Sequence, residues 1–154
     1  MDPVWIPEPR FARRTMLLIA DAEKSLFLCG SCCRGWTPPE LLLESEVTCY
    51  SAARAFMSAA FGDIAFRFGE MRGRFWPSPV EGWECDRRTA LTVLIIRLET
   101  SRPDRVGHLN DGRHVWWGQD QLLENRRHIY PPGIVSLIDG YFDGRLPDGD
   151  LRLE

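Results

Sequence analysis

Lysine is almost missing from this 154-residue chain: of nineteen basic residues, only Lys24 is lysine. The formal net charge is −3, so there is no positive excess for a nucleic-acid backbone or an anionic bilayer to select. The preference for arginine reads as the mark of a GC-rich coding sequence rather than of an arginine-built binding site. No apolar run reaches the ~18 residues that a membrane span requires. The first ten residues, MDPVWIPEPR, lack the basic and apolar regions of a secretory leader, so the cytoplasm is the expected location. Cysteine is sparse and odd in number, five in all, which suits reduced thiols better than a disulfide framework. Cys29-x-x-Cys32-Cys33 has no second cysteine pair at zinc-finger spacing, and His108, His114 and His128 form no ligand motif. These residues imply no metal and no cofactor.

What is present is the composition of a globular protein, 44% apolar and 27% charged. The length suits one domain with a substantial core. Residues 1–10 are proline-rich and read as an extended arm, with Trp5 and Ile6 held on the surface or at a partner. Residues 11–154 read as a single domain without internal repeat. Arg13 to Ile19 and Leu26 to Cys29, separated by Asp21-Ala22-Glu23-Lys24, predict a β-hairpin. Gly30 to Arg34 read as a loop. In the stretch that follows, Ala52, Ala53, Phe56, Met57, Ala60 and Phe61 recur at helical spacing. Thr48 can cap that helix through its hydroxyl, and Gly62 can end it with a left-handed backbone. Ala65 to Arg74 alternates as a strand with Phe66 and Phe68 on one face, which Glu70 and Arg72 continue. Ala90 to Leu98, apolar nearly throughout and rich in β-branched residues, predicts a central strand buried on both faces.

The segment Pro38 to Gly62, PPELLLESEVTCYSAARAFMSAAFG, resembles the loop-helix-loop box of the Nudix hydrolases when laid on it without a gap. Pro38-Pro39, Glu44 and Gly62 fall on positions where members often match. The pair RRTMLLIADAEKSLFLC resembles the first hairpin of that family. Arg113-His114-Val115-Trp116-Trp117, then Gln119 to Glu124, then Tyr130-Pro131-Pro132-Gly133 opening a helix through Phe142, look like its late strand and closing helices. The resemblance spans roughly residues 11 to 145. It implies an α+β fold, the Nudix fold: a mixed β-sheet core flanked by helices in an α/β/α sandwich. It also shows what is missing. Leu41 stands at the first glycine of the box, Val47 at the first glutamate, Ala55-Phe56 at the Arg-Glu pair and Ala59-Ala60 at the Glu-Glu pair. In the family those carboxylates hold magnesium against a diphosphate, hard oxygen ligands for a hard cation. A phenyl ring and two methyl groups coordinate nothing, so the family's metal site is expected to be absent. An apolar face of this kind should be buried or line an apolar cavity.

Other residues could carry chemistry. Glu70 and Glu84 fall on strands expected to line the cavity, where a partly apolar setting would fit a carboxylate for general acid or base work. An exposed strand end or an ion pair with arginine is the plainer alternative for each. His108, in the long polar segment from Ser101 to Gly112, is a third acid–base candidate beside its plain reading as a loop histidine. Glu44 and Glu46 precede the helix, in the segment that approaches substrate in the resembled family; Trp76 and Trp83 flank a turn near the expected cavity mouth and could stack on a flat ligand. Trp116 and Trp117 are more simply core. Cys49, at the helix start, has no identifiable base partner.

Three functions remain open. One is an enzyme that keeps the cavity but acts on a small organic substrate without metal, by isomerisation, cyclisation or hydrolysis, in specialised metabolism. Another is a non-catalytic module that binds a small ligand. The third is a hydrolase of nucleoside diphosphate compounds with relocated metal ligands. No nucleic acid or membrane partner is expected, and a homodimer is possible by analogy with the family.

Overall fold

The computed structural model describes residues 13–31, 35–43, 47–75, 91–101, 103, 113–131, 133–144 and 150–153. The proline-rich arm, residues 1–10, lies outside that set.

Two strands organise the rest. β1 (Arg13–Ala20) and β6 (Leu91–Leu98) pair in parallel along their whole length, from Arg14 beside Leu91 to Ala20 beside Arg97. Their side chains alternate between two apolar layers. Met16, Leu18, Val93 and Ile95 face one layer; Leu17, Ile19, Leu94, Ile96 and Leu98 face the other. Burial on both faces explains why these segments read as continuous apolar runs.

The hairpin forms as expected. β2 (Leu26–Ser31) returns from β1 through a turn that Asp21 organises, its Oδ1 accepting the backbone N–H groups of Glu23 at 3.0 Å and Ser25 at 2.8 Å. One expectation fails here. Gly30 and Ser31 belong to β2 rather than to a loop, because β3 (Gly35–Thr37) pairs with Cys29 to Ser31. β3 is also held from its other side, where Trp36 bridges Ile129 and its carbonyl accepts the N–H of Tyr130 at 2.9 Å. After Pro38-Pro39 the chain crosses to β1, and β4 (Glu40–Leu43) pairs there with Arg13 to Met16. The leucine run before the helix is thus a short strand.

β5 (Phe66–Phe75) runs antiparallel to β6, and β8 (Asp150–Leu153) lies parallel to β5. β7 (His114–Trp117) pairs with β2. The sheet is mixed, in the order β3-β2-β1-β6-β5-β8 with β4 on β1 and β7 on β2. α1 (Cys49–Phe61) covers one face; α2 (Gln119–Glu124) and α3 (Ile134–Phe142) close the other with Leu122, Ile134, Val135, Leu137 and Ile138. Gln119 Nε2 donates to Asp139 Oδ1 at 3.1 Å and ties the two helices together. The result is an α/β/α sandwich in the α+β class.

Among the described residues, no helix is long and apolar enough to cross a membrane.

Candidate functional site

The site is the sheet face under α1. Thr48 Oγ1 accepts the N–H of Ser51 at 3.1 Å and fixes the start of the helix; Gly62, at φ 71°, ends it. Ala53, Met57, Ala60 and Phe61 are buried against Leu17, Ile19, Phe27, Leu94, Ile96 and Leu98. Aromatic rings surround this contact. Phe61 meets Phe27 edge-on at 5.3 Å between centroids, and Trp116 lies 5.0 Å from Phe27. At the other end Tyr50 meets Phe68 edge-on at 4.9 Å, while the Arg54 guanidinium lies over Phe68 at 5.2 Å.

The helix positions that the box resemblance singles out do not behave as one apolar face. Ala60 is buried, Phe56 is half-buried beside Phe61 at 6.4 Å, and Ala59 is exposed. The helix is rotated so that Met57 and Ala53 lead into the core, which leaves Ala59 with Ser51, Ala55 and Ser58 on the outer side. None of the three side chains carries a donor atom, so a divalent cation has no ligand there. Among the described residues, no three His, Cys, Asp or Glu side chains come together as a metal site.

Of the sequence-nominated residues, only Glu70 lies on a described element, and by its backbone alone. It sits in β5 where register shifts: Phe68 pairs with Ile96 but Arg72 pairs with Leu94, so β5 holds two more residues than β6 across that step. Bulges of this type re-aim side chains and occur beside functional sites. Glu44, Glu46, Trp76, Trp83, Glu84 and His108 lie outside the described residues.

The flanking strands nevertheless order their tethers. Leu43, where the segment with Glu44 and Glu46 begins, pairs with Arg13; Phe75 and Leu91, which bracket the segment with Trp76, Trp83 and Glu84, pair with each other; Arg14 pairs with Leu91. All these tethers lie at one end of the sheet, the end from which β1 and β6 start. The segment holding His108 leaves from the opposite end, past Leu98, and rejoins the sheet at Arg113, whose carbonyl accepts the N–H of Gly30 at 3.0 Å.

Two residues not nominated from sequence fall at the first of these ends. Thr15 and Thr92 are register partners on the α1 face, one step before Leu17 and Leu94. Thr15 is fully buried, and its hydroxyl has no hydrogen-bond partner. A threonine in the apolar row of an alternating strand was the available signal. Cys49 is the first residue of α1, half-buried. Cys29 is half-buried on β2, and neither cysteine is in a disulfide.

No protein-family model matches the sequence, and no curated protein sequence matches it. Solved structures do match. A Nudix hydrolase from Nitrosomonas europaea superposes at TM-score 0.57 with 16% identity, covering 88% of this chain and 90% of that one. A C. elegans Ap4A hydrolase superposes at TM-score 0.62 with 12% identity over 86% of this chain and 98% of that one. The complex between the C-terminal domain of mouse MUTYH and human PCNA matches at TM-score 0.60 with 13% identity, over 88% of this chain and 90% of the other.

Proposed function

We propose that this chain, which has the Nudix fold, binds a small, largely organic molecule in the cavity of that fold and acts on it by acid–base chemistry without a metal ion. One observation carries the reading. Where the resemblance aligns the metal-holding carboxylates, α1 presents Phe56, Ala59 and Ala60, and two of these three are drawn into the helix–sheet contact. Restoring a carboxylate at Ala60 would bury it, so the change is built into the packing and not confined to one exposed side chain.

In this reading Glu70, Glu84 and His108 are the acid–base candidates, with Glu44, Glu46, Trp76 and Trp83 as substrate contacts. The shared tethering of the segments bearing Glu44, Glu46, Trp76, Trp83 and Glu84 supports grouping those five. His108 has the weakest support, because one tether of its segment lies at the far end of the sheet. The reaction class is an isomerisation, cyclisation or hydrolysis of the kind that tailors a specialised metabolite, carried out in the cytoplasm.

The test is hydrolysis of a panel of nucleoside triphosphates, dinucleotides and nucleotide sugars with magnesium, with and without a chelator. The reading predicts no turnover on either arm. Turnover that the chelator abolishes overturns it, because metal ligands would then be supplied from elsewhere in the chain.

A further inference from the structure

β2 and β7 bring a thiol and an imidazole together on the α1 face. Cys29 and His114 are register partners in that antiparallel pair of strands. The N–H of Gly30 donates to the Arg113 carbonyl at 3.0 Å. Gly30 and Arg113 are thus a hydrogen-bonded pair, and the next pair along, Cys29 with His114, is a non-hydrogen-bonded one. Pairs of that kind hold their Cα atoms ~4.5 Å apart, with the side chains at their closest. Phe27 and Trp116, two residues further along the same rows, are a pair of the same kind, and their ring centroids lie 5.0 Å apart. Each member of the Cys29–His114 pair is placed on this face by a contact of its own. Cys29 packs against the apolar layer under α1, and the His114 ring lies 5.6 Å from that of Phe27 in the same layer. Cys29 is half-buried and His114 exposed, so the pair adjoins solvent.

The surroundings narrow the chemistry. A thiol attacks as its thiolate, and an adjacent imidazole takes the proton. Thr37 on β3 is the register partner of Cys29 from the other side, but its hydroxyl donates to the Pro38 carbonyl at 3.2 Å. It is therefore not placed to steady the oxyanion that an acyl transfer develops. Conjugate addition asks for less, a thiolate and one proton donor. Arg113 lies against Gly30, on the opposite face of β2. From α1 the ring against Phe27 is Phe61, with Phe56 beyond it. Among the described residues, His114 is thus the titratable group that faces the thiol. Phe27, Phe61 and Trp116 lie 5.0 to 6.0 Å from one another, an aromatic setting that suits a flat, conjugated molecule.

We infer that Cys29 and His114 form a nucleophilic pair, a covalent attachment site for a flat α,β-unsaturated carbonyl compound. The thiol proton passes to the imidazole. The thiolate sulfur bonds to the β-carbon as the carbon–carbon π bond breaks, and that electron pair moves to the carbonyl oxygen as an enolate. The imidazolium then returns its proton to the α-carbon, so nothing leaves and no other reactant is needed. This site is separate from the acid–base residues of the proposed function and does not depend on the metal-free reading.

The full-length chain is treated with acrylamide, an α,β-unsaturated amide, at pH 7, and the rate at each cysteine is read by peptide mass spectrometry. Cys29 should react about tenfold or more faster than glutathione in the same buffer, since an unassisted thiol of pKa ~8.5 is only a few per cent thiolate there. His114→Asn should remove that advantage while leaving the rate at Cys49 as it was. Because His114 is exposed, Tm should move little. At pH 9, where a thiol ionises unaided, wild type and variant should react at Cys29 at closely similar rates. A Cys29 no faster than glutathione in the wild type overturns the inference, whether or not the variant folds. So does an unchanged rate in His114→Asn, or a loss of equal size at pH 9, which would make His114 a packing residue. The hydrolysis assay judges the metal-free reading independently of every one of these outcomes.

Discussion

Single residues carry more of the local geometry than composition suggests. Gly35 has φ +80°, and a Cβ built there would run into the carbonyl oxygen of His128. Gly62 has a similar φ of +71° but open space around it. Replacing either by alanine puts a Cβ on a positive-φ backbone that L residues rarely adopt; only Gly35→Ala adds a clash with a backbone atom that cannot swing aside. Urea denaturation should therefore show Gly35→Ala clearly less stable than Gly62→Ala, and equal losses would contradict the described contact between β3 and the turn at His128. The box positions differ from one another in the same way. Ala60 is 4% exposed whereas Ala59 is exposed. Ala59→Glu should leave stability within ~0.5 kcal/mol, while Ala60→Glu should cost several kcal/mol, about 3 or more, for burying a carboxylate without a partner. Equal stability of the two variants would mean that α1 is rotated differently on the sheet.

Elements show how far sequence reaches. The helix Cys49–Phe61, its Thr48 cap and its Gly62 stop are readable from local chemistry and are found in place, although Gly62 ends the helix at φ 71° and ψ −147° rather than in the left-handed helical conformation. Thr48→Ala should cost ~1 kcal/mol through the lost bond to Ser51, and Met57→Ala ~2–5 kcal/mol through the cavity left under the helix; thermal unfolding of the two variants checks that order. Strands β1 and β6 were equally legible, because strands buried on both faces read as nearly continuous apolar runs. Legibility ended where structure depends on distant partners. Gly35-Trp36-Thr37 is too short to show a strand pattern of its own, yet it is a strand because β2 and Ile129 bond it from both sides. The leucine run at 40–43 becomes β4 only because β1 outruns its hairpin partner β2 and leaves an edge at Arg13 to Met16. The irregularity in β5 that contains Glu70 is a mismatch of two strands and cannot be seen in either alone. Gly69 marks it in hindsight: a Cβ there would lie 2.9 Å from the Tyr141 hydroxyl and 3.2 Å from Ile95.

At the scale of the molecule, an α/β/α sandwich keeps its two apolar layers whichever letters stand on the solvent side of α1. The layers are held by Leu17, Phe27, Met57, Leu94 and Ile96 on one face and by Met16, Leu28, Val93, Ile95 and Ile138 on the other. Fold and chemistry are therefore separable here, and likeness of fold at 12–16% identity cannot carry an activity across. Of the candidate site, the sequence singled out Phe56, Ala59 and Ala60 on α1 and Glu70 on β5, while its other nominated side chains lie outside the described residues. It did not expose the Thr15–Thr92 step, because register between parallel strands decides which two threonines become neighbours.

The claim at the centre of this account, which the proposed function makes, is that the α1 positions aligned with the family's metal-holding carboxylates hold no metal ion. Manganese, which replaces magnesium at oxygen sites and broadens nearby NMR signals, tests this directly. Titrating the nitrogen-15-labelled protein with Mn²⁺ should leave the amide signals of Phe56, Ala59 and Ala60 as sharp as those of α3 on the far side of the sheet. Selective, saturable broadening along Phe56 to Ala60 would contradict it and return a metal ion to the helix.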